Sequence, residues 1–381
     1  LLIEPRFPKA NKSKNHNGVY PVGLLRLASY HRAQGHSIQL ARAGEHDPLF
    51  VPDRIEVTSL FTYWARYVRD AVQYYRRCFP NADIRVGGVY ASLMPQHCKQ
   101  YTGCDRVFKG VHNTAEKYRP ALDLVHADYQ ILHASRGCPR RCEFCGTWKI
   151  EPQFIPKRTI SNEIEKRKVI FYDNDFLANP HIEAILEELR DARVNGRSLT
   201  CECQSGFDGR ILRDKPYLAE MLRAAHFRSP RIAWDGGYNA KRDVGTQLAL
   251  LREAGFRPKE TYVFMLYNWK VPLAEMEKKR RQCREWGVQV ADCRYRPLDQ
   301  IDDDYPRYAR SSQRQGAPSY YIHPHWTDEQ VRLFRRSVRE HNIGVWFGRA
   351  YRREKEQEGK RRREHLRKGT QPAPRANAAV S

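Results

Sequence analysis

The chain has 381 residues, 41% of them hydrophobic, and carries 67 Lys and Arg against 44 Asp and Glu, a formal net charge of +23. That length suits one large domain or two ordinary ones with a real core, and no run of about 18 apolar residues predicts a membrane span. Ten cysteines in a chain this size, with no secretory pattern opening at Leu1, exclude a small disulfide scaffold and point to a cytoplasmic protein using thiols for metal or chemistry.

The first strand is expected at "LLIEP", followed by a helix from Val22 to Tyr30 that Gly35 ends before a second strand. "RIEVTSLF" reads as a third strand, "YWARYVRDAVQYYRRCF" as an amphipathic helix, and "DIRVGGVYAS" as a fourth strand entering a Gly87–Gly88 turn. Alternation of this kind predicts an α/β unit with a doubly wound parallel sheet over residues 1–110. Residues 111–128 read as a linker.

From residue 129 the alternation resumes. Strands are expected at "YQILHAS", "KVIFYDND", "SLTCECQS", "RIAWDG", "TYVFMLYNW" and "VQVADCRY", with helical stretches such as "NPHIEAILEELRDARV" and "PLAEMEKKRRQCREWG" between them. Six β-α repeats over 129–300 predict a partial (β/α) TIM-type barrel, whose chemistry would sit at the carboxyl ends of its strands. Residues 301–350 read as a C-terminal cap, carrying His323 and His325 in a Tyr/Trp/Arg-rich segment that forms either a packed helix with a wet edge, the more frequent case, or a surface able to stack bases. Asp299 and Asp302 to Asp304 form an acidic turn before it. Residues 351–381 read as a basic tail, either a solvated helix giving way to disorder or an arm that contacts RNA or DNA.

The chemistry concentrates in "SRGCPRRCEFCGTW", which opens directly after the first of those six strands. Cys138, Cys142 and Cys145 stand in a C-x3-C-x2-C spacing, and Arg140 and Arg141 would offset thiolate charge. Three readings are open. Structural zinc wants four protein ligands, and His133 on the preceding strand is poorly placed to be the fourth. Three ordinary buried thiols leave the clustering without a cause. A [4Fe-4S] cluster on three thiolates keeps one iron open for a ligand that is not protein. Cys201, Cys203, Cys283 and Cys293 read as buried small residues, the first two sharing one face of a strand.

This motif after the first strand of a partial barrel resembles the radical S-adenosylmethionine enzymes. The resemblance implies that Cys138, Cys142 and Cys145 hold the cluster, and that the open iron chelates S-adenosylmethionine, which is cleaved to methionine and a 5′-deoxyadenosyl radical that takes a substrate hydrogen. It places Phe144 beside the adenine. "VIFYDNDF" resembles the acidic second-strand version found in members with a cobalamin-type first domain, nominating Asp173, Asn174 and Asp175. "CQSGFDGRIL" nominates Gln204, Ser205, Asp208 and Arg210, and "RIAWDGGYNAKRD" nominates Asp235. The usual Gly-Gly-Glu turn is absent, as is a Gly-x-Pro turn in "VFMLYNW".

Residues 1–110 are similar to the cobalamin-binding-like domain of such enzymes, but the Asp-x-His-x-x-Gly motif is missing, and His16 and His31 stand in other contexts. Cobalamin bound without a histidine, no ligand, and a domain turned to substrate all follow from that, and methyl transfer would require the first. A reductant protein of flavodoxin or ferredoxin type is the expected electron partner, and the charge favours a polyanionic substrate or nucleic acid. A reading from another class is a basic nucleic-acid-binding protein with a structural metal cluster, which predicts salt-dependent binding and no cofactor turnover.

Overall fold

In the computed structural model of the protein, the described residues are 1–8, 19–42, 48–303 and 319–368, with side chains to residue 348. His16, Asp304 and residues 369–381 of the tail lie outside them. The fold is mixed α/β with parallel sheets. The first sheet has the order β2-β1-β3-β4-β5, made from β1 (Leu2–Glu4), β2 (Leu40–Arg42), β3 (Arg54–Ser59), β4 (Asp83–Gly88) and β5 (Arg106–Val107), every pairing parallel. Alternating Ile55, Val57, Ile84 and Val86 are buried to 1% exposure or less. They meet the apolar stripe Ala65, Val68, Val72 and Tyr75 of α2 (Ala65–Cys78).

Helix α1 (Val22–Arg32) is shared. Leu24 and Ala28 pack with Leu2 of β1, while Leu25 packs with Tyr129 and Ile131 from the next strand region. After β4 come α3 (Val89–Leu93) and α4 (Pro95–Thr102). The segment read as a linker is held by short 3-10 turns and by Arg26, whose Nη1 donates to the carbonyls of Glu116 (2.8 Å) and Tyr118 (2.7 Å).

The second region is built from β6 (Tyr129–Leu132), an antiparallel pair β7 (Ser135–Arg136) and β8 (Ile155–Pro156) around α5 (Thr147–Ile150), then β9 (Lys168–Phe171) and α6 (Ile182–Asp191). A hairpin β10 (Arg193–Val194) and β11 (Arg197–Ser198) leads into β12 (Thr200–Cys203), α7 (Gly209–Asp214) and α8 (Leu218–Ala224). Next come β13 (Arg231–Ala233), α9 (Lys241–Glu253), β14 (Tyr262–Tyr267), α10 (Leu273–Glu285), β15 (Gln289–Arg294) and α11 (Asp328–Lys368).

Strands β6-β9-β12 and β13-β14-β15 form two parallel three-stranded sheets. Isolated parallel bridges, Cys201 of β12 with Phe227 and Phe207 with Ile232 of β13, lie between the two. Parallel register puts the six carboxyl ends along one edge. The face of β9, β12, β13 and β14 carrying Phe171, Cys201, Cys203, Ile232 and Val263 packs against the helices in the largest core. Helix α11 breaks at Gly348, whose φ of +77° lies in the left-handed region. None of the described helices is long and apolar enough to cross a membrane.

Candidate functional site

The cysteine loop leaves β7 and re-enters at α5, and its shape is fixed by contacts that only particular residues allow. Gly137 has φ +75°, and a Cβ there would lie 2.1 Å from the carbonyl oxygen of Gln153, so glycine is required. Its N–H donates to Glu151 Oε2 (2.5 Å), while Arg136 Nη2 donates to Glu151 Oε1 (2.6 Å). Inside the loop Cys145 N (3.0 Å) and Trp148 Nε1 (3.2 Å) both donate to the Cys142 carbonyl, closing a turn between two of the cysteines.

All three thiols are free and half-buried. Burial pushes the Cys138 thiol up to about 11, and Asp175, Cys145 and Cys142 push the same way. Burial also raises Cys142, with Asp235 and Cys145 adding to it and Arg210 and Arg140 opposing. Those mutual effects put the thiols in one electrostatic neighbourhood. As placed, among the described residues, no three His, Cys, Asp or Glu side chains stand in an arrangement that could hold a metal ion.

The donor chemistry nevertheless fits an iron–sulfur cluster: three unlinked thiols in one framed loop, with no fourth cysteine beside them. His133, on the stretch before the loop, is buried with its Nδ1 unpartnered, and burial, with Arg136, Arg26 and Lys157, pushes its imidazolium well below the usual range.

The end of β9 delivers three nominated residues with three different fates. Asp173 is fully buried: Oδ2 accepts from Ala134 N (3.0 Å), and Oδ1 accepts from Ser135 N (2.6 Å) and Ser135 Oγ (2.7 Å). Its carboxylate is tied to the strand leading into the cysteine loop, which positions that loop. Asn174 is exposed, and its Oδ1 accepts from Thr147 Oγ1 (3.2 Å), which itself accepts from Cys145 Sγ (3.3 Å). Asp175 is buried, with Oδ1 lacking any hydrogen bond; burial, then the charge of Asp208, raises its carboxyl to about 6.

The end of β12 braces the loop from the other side. Asp208 caps α7, accepting from Arg210 N (3.0 Å) and Arg210 Nε (2.9 Å), and its Oδ2 accepts from Arg140 Nε (3.0 Å) and Nη2 (2.5 Å) of the cysteine loop. Burial works against the Asp208 carboxylate, but the hydrogen bonds and charge of Arg210 and Arg140 hold it below the usual range. Ser205 is exposed at the same strand end. Gln204 turns to donate to Glu202 Oε1 (2.9 Å), joining the buried Glu202–Arg231 pair (2.5 Å), so its contact is with the strands' own polar network.

Asp235 is exposed just past β13, where surrounding protein raises its carboxyl and Lys279 and Arg210 lower it. Phe144 is half-exposed and stacks on no other ring among the described residues.

Three features escaped the sequence reading. Lys279 is fully buried on α10, donating to the carbonyls of Trp234 (2.6 Å) and Gly236 (2.9 Å), so it fixes the turn holding Asp235. Its signal was available: it shares the buried face with Met276 and Cys283, three and four residues away. Lys270 Nζ donates to both oxygens of Glu143 (2.8 and 2.6 Å), tying the loop to the end of β14. The Glu202–Arg231 pair had no local signal.

Of the other cysteines, Cys201, Cys203 and Cys283 are buried as expected, but Cys293 is exposed, because alternation on β15 turns it from the helix-covered face. Gly88 serves the first sheet's own packing, since a Cβ there would lie 2.2 Å from the Ser59 carbonyl oxygen. No family model and no curated protein matches the chain.

Proposed function

We propose that the chain is a radical S-adenosylmethionine enzyme, with a doubly wound first unit and an open six-stranded (β/α) barrel built on β6, β9, β12, β13, β14 and β15. One observation carries the reading. Three free thiols occupy a glycine-shaped loop at the carboxyl ends of parallel strands, beside the buried, unpartnered oxygen of Asp175.

Cys138, Cys142 and Cys145 would hold a [4Fe-4S] cluster. The chemistry it would supply is one-electron reduction of the S-adenosylmethionine sulfonium, leaving methionine and a 5′-deoxyadenosyl radical to abstract a substrate hydrogen. The chain's own residues set the site around it. Asp173 and Glu151 fix the loop at its two ends, and Asp208 with Arg140 and Arg210 braces it against β12. Asp175 offers an acceptor to a ligand ammonium, since a buried carboxylate oxygen without a partner is costly unless a cation or donor arrives. Asn174, Ser205 and Asp235 are exposed just past the ends of β9, β12 and β13 and would face the ligand, and Phe144 would lie along the adenine. A flavodoxin- or ferredoxin-type protein is the proposed reductant, and cobalamin-dependent methyl transfer stays attached to the resemblance of the first unit.

Anaerobic reconstitution with iron and sulfide tests the reading. About four irons per chain are expected, and dithionite with S-adenosylmethionine should yield 5′-deoxyadenosine. Cys142→Ala should lose both. A wild-type chain that takes up iron but cleaves no S-adenosylmethionine under varied reductants overturns the enzyme in favour of a binding protein with a structural cluster. Cobalamin retained through purification, or its absence from an active preparation, decides methyl transfer.

A further inference from the structure

Four aromatic side chains gather beside the cysteine loop without joining a hydrophobic core. Trp269 and Tyr295 have ring centroids 3.8 Å apart, His323 stands edge-on to Trp269 at 5.4 Å, and Tyr321 edge-on to Tyr295 at 5.8 Å. All four are half-exposed, and none belongs to a hydrophobic core cluster among the described residues.

The group's backbone is held in place by the side chains of Asn268 and Trp326. Asn268 is fully buried with φ +58°, a conformation asparagine tolerates better than most residues. Its Nδ2 donates to the carbonyls of Tyr295 (3.2 Å) and Tyr321 (3.0 Å), and its Oδ1 accepts from His323 N (2.9 Å). Trp326 Nε1 adds bonds to the carbonyls of Trp269 (2.9 Å) and Val271 (3.1 Å). Backbone in a sparsely populated conformation, over-determined by hydrogen bonds, clusters at binding and active sites, and here it carries half-exposed rings, with Lys270 Nζ 5.2 Å over that of Trp269.

Position and charge say what binds. Lys270 links the group to Glu143, the residue after Cys142. Arg141 and Lys149 of the same loop are exposed and form no ion pair among the described residues. A ligand complementary to both halves carries flat rings and a run of negative charge, whereas an acidic peptide answers only the charge.

We propose that this platform stacks an unpaired base of a single-stranded nucleic acid, with phosphates passing Arg141 and Lys149. The proposal deepens the enzyme reading by naming its substrate class, and it rests on that reading only for the fate of the strand. Binding itself needs no cluster.

The test uses the full, cluster-free chain and a mixed-sequence 12-nucleotide RNA bearing a 5′-fluorescein, followed by anisotropy across a salt series. Trp269→Ala should weaken binding on the order of 10- to 100-fold, the span that loss of one aromatic–base stack produces, and Trp269→Phe should recover most of it. Arg141→Gln should flatten the dependence of log K on log salt by about 0.7.

Ultraviolet crosslinking of the unmodified chain, mapped by peptide mass, covers the case in which Trp269→Ala fails to fold; crosslinks are expected at Trp269, Tyr295 or Tyr321. No binding at low salt, equal affinity in folded Trp269→Ala and Tyr295→Ala, or crosslinks confined to residues 349–381 each overturn the proposal. A failure to form 5′-deoxyadenosine leaves these readouts standing and sinks the enzyme reading alone.

Discussion

Asp175 holds a buried carboxylate oxygen with no hydrogen bond beside Cys138, and that has a consequence for stability as well as for ligand binding. Burial and the charge of Asp208 raise its carboxyl to about 6, against about 3.8 in an unfolded chain. The folded state therefore keeps a proton that the unfolded state has released between those values. Its stabilising share is complete below about pH 3.8 and is lost as the pH rises through 6. In the cluster-free chain, Asp175→Asn should melt a few degrees higher than wild type at pH 7 and equally with it near pH 4. Melting curves at the two pH values check this, and a lower melting temperature at pH 7 would show that the oxygen already has a partner. The buried Glu202–Arg231 pair follows a different logic. Each charge is satisfied, Arg231 also donating to the Cys203 carbonyl at 2.8 Å, so Arg231→Met should cost about 3–5 kcal/mol by stranding Glu202. Urea denaturation measures it.

At the level of elements, the last strand and last long helix depend on two adjacent side chains. β15 is the edge of its sheet, and Asn342 of α11 covers that edge, accepting from Val290 N (2.8 Å) and donating to Val290 O (2.8 Å). Beside it, His341 is fully buried against the Val288 carbonyl, and burial depresses its imidazolium to about 4. Arg280 and Arg284 of α10 depress it further, and Glu277 opposes them. A depressed histidine contributes stability that is present above about pH 6.5 and lost as the pH falls through 4. The wild-type melting temperature should therefore drop more steeply between pH 6.5 and 4.5 than that of His341→Gln; parallel curves would refute the coupling. Asn342→Leu leaves two backbone groups unsatisfied and should cost about 2–4 kcal/mol at every pH.

The strands behind this arrangement were legible, because "KVIFYDND", "RIAWDG" and "VQVADCRY" are apolar runs bounded by turn residues and hold β9, β13 and β15. The two-residue strands β7 and β8 were not. Ser135–Arg136 has no periodicity to read, and its pairing with Ile155–Pro156 is set by Gly137 and Glu151 across the loop. The cysteines announced themselves by spacing; Asn268 and Lys279 did not, since their importance lies in carbonyls that only the folded chain brings within reach.

At the scale of the whole molecule, the first unit packs against the exit of the cysteine loop. A Cβ on Gly146 would lie 3.3 Å from Leu93 Cδ2 of α3 and 3.3 Å from Leu298 Cδ2 beyond β15, so the loop's exit is wedged between the two leucines. The first unit is held in that position by bonds at other points. Tyr20 Oη accepts from Ile131 N (2.6 Å), and Trp64 forms an antiparallel bridge with Asp302. Removing one leucine should then loosen the loop without separating the units, because the other contacts are independent of it and distant changes add. Leu93→Ala should raise the rate at which iodoacetamide alkylates Cys138, Cys142 and Cys145 in the cluster-free chain several-fold, since reaction needs exposed thiolate and these thiols are half-buried. Cys201 and Cys203, in the core under α6 and α8, serve as the internal control and should stay unreactive. Site-resolved alkylation by peptide mass distinguishes the outcomes. A uniform rise at all five cysteines would mean global destabilisation, and no rise at the three would mean that the first unit does not brace the loop.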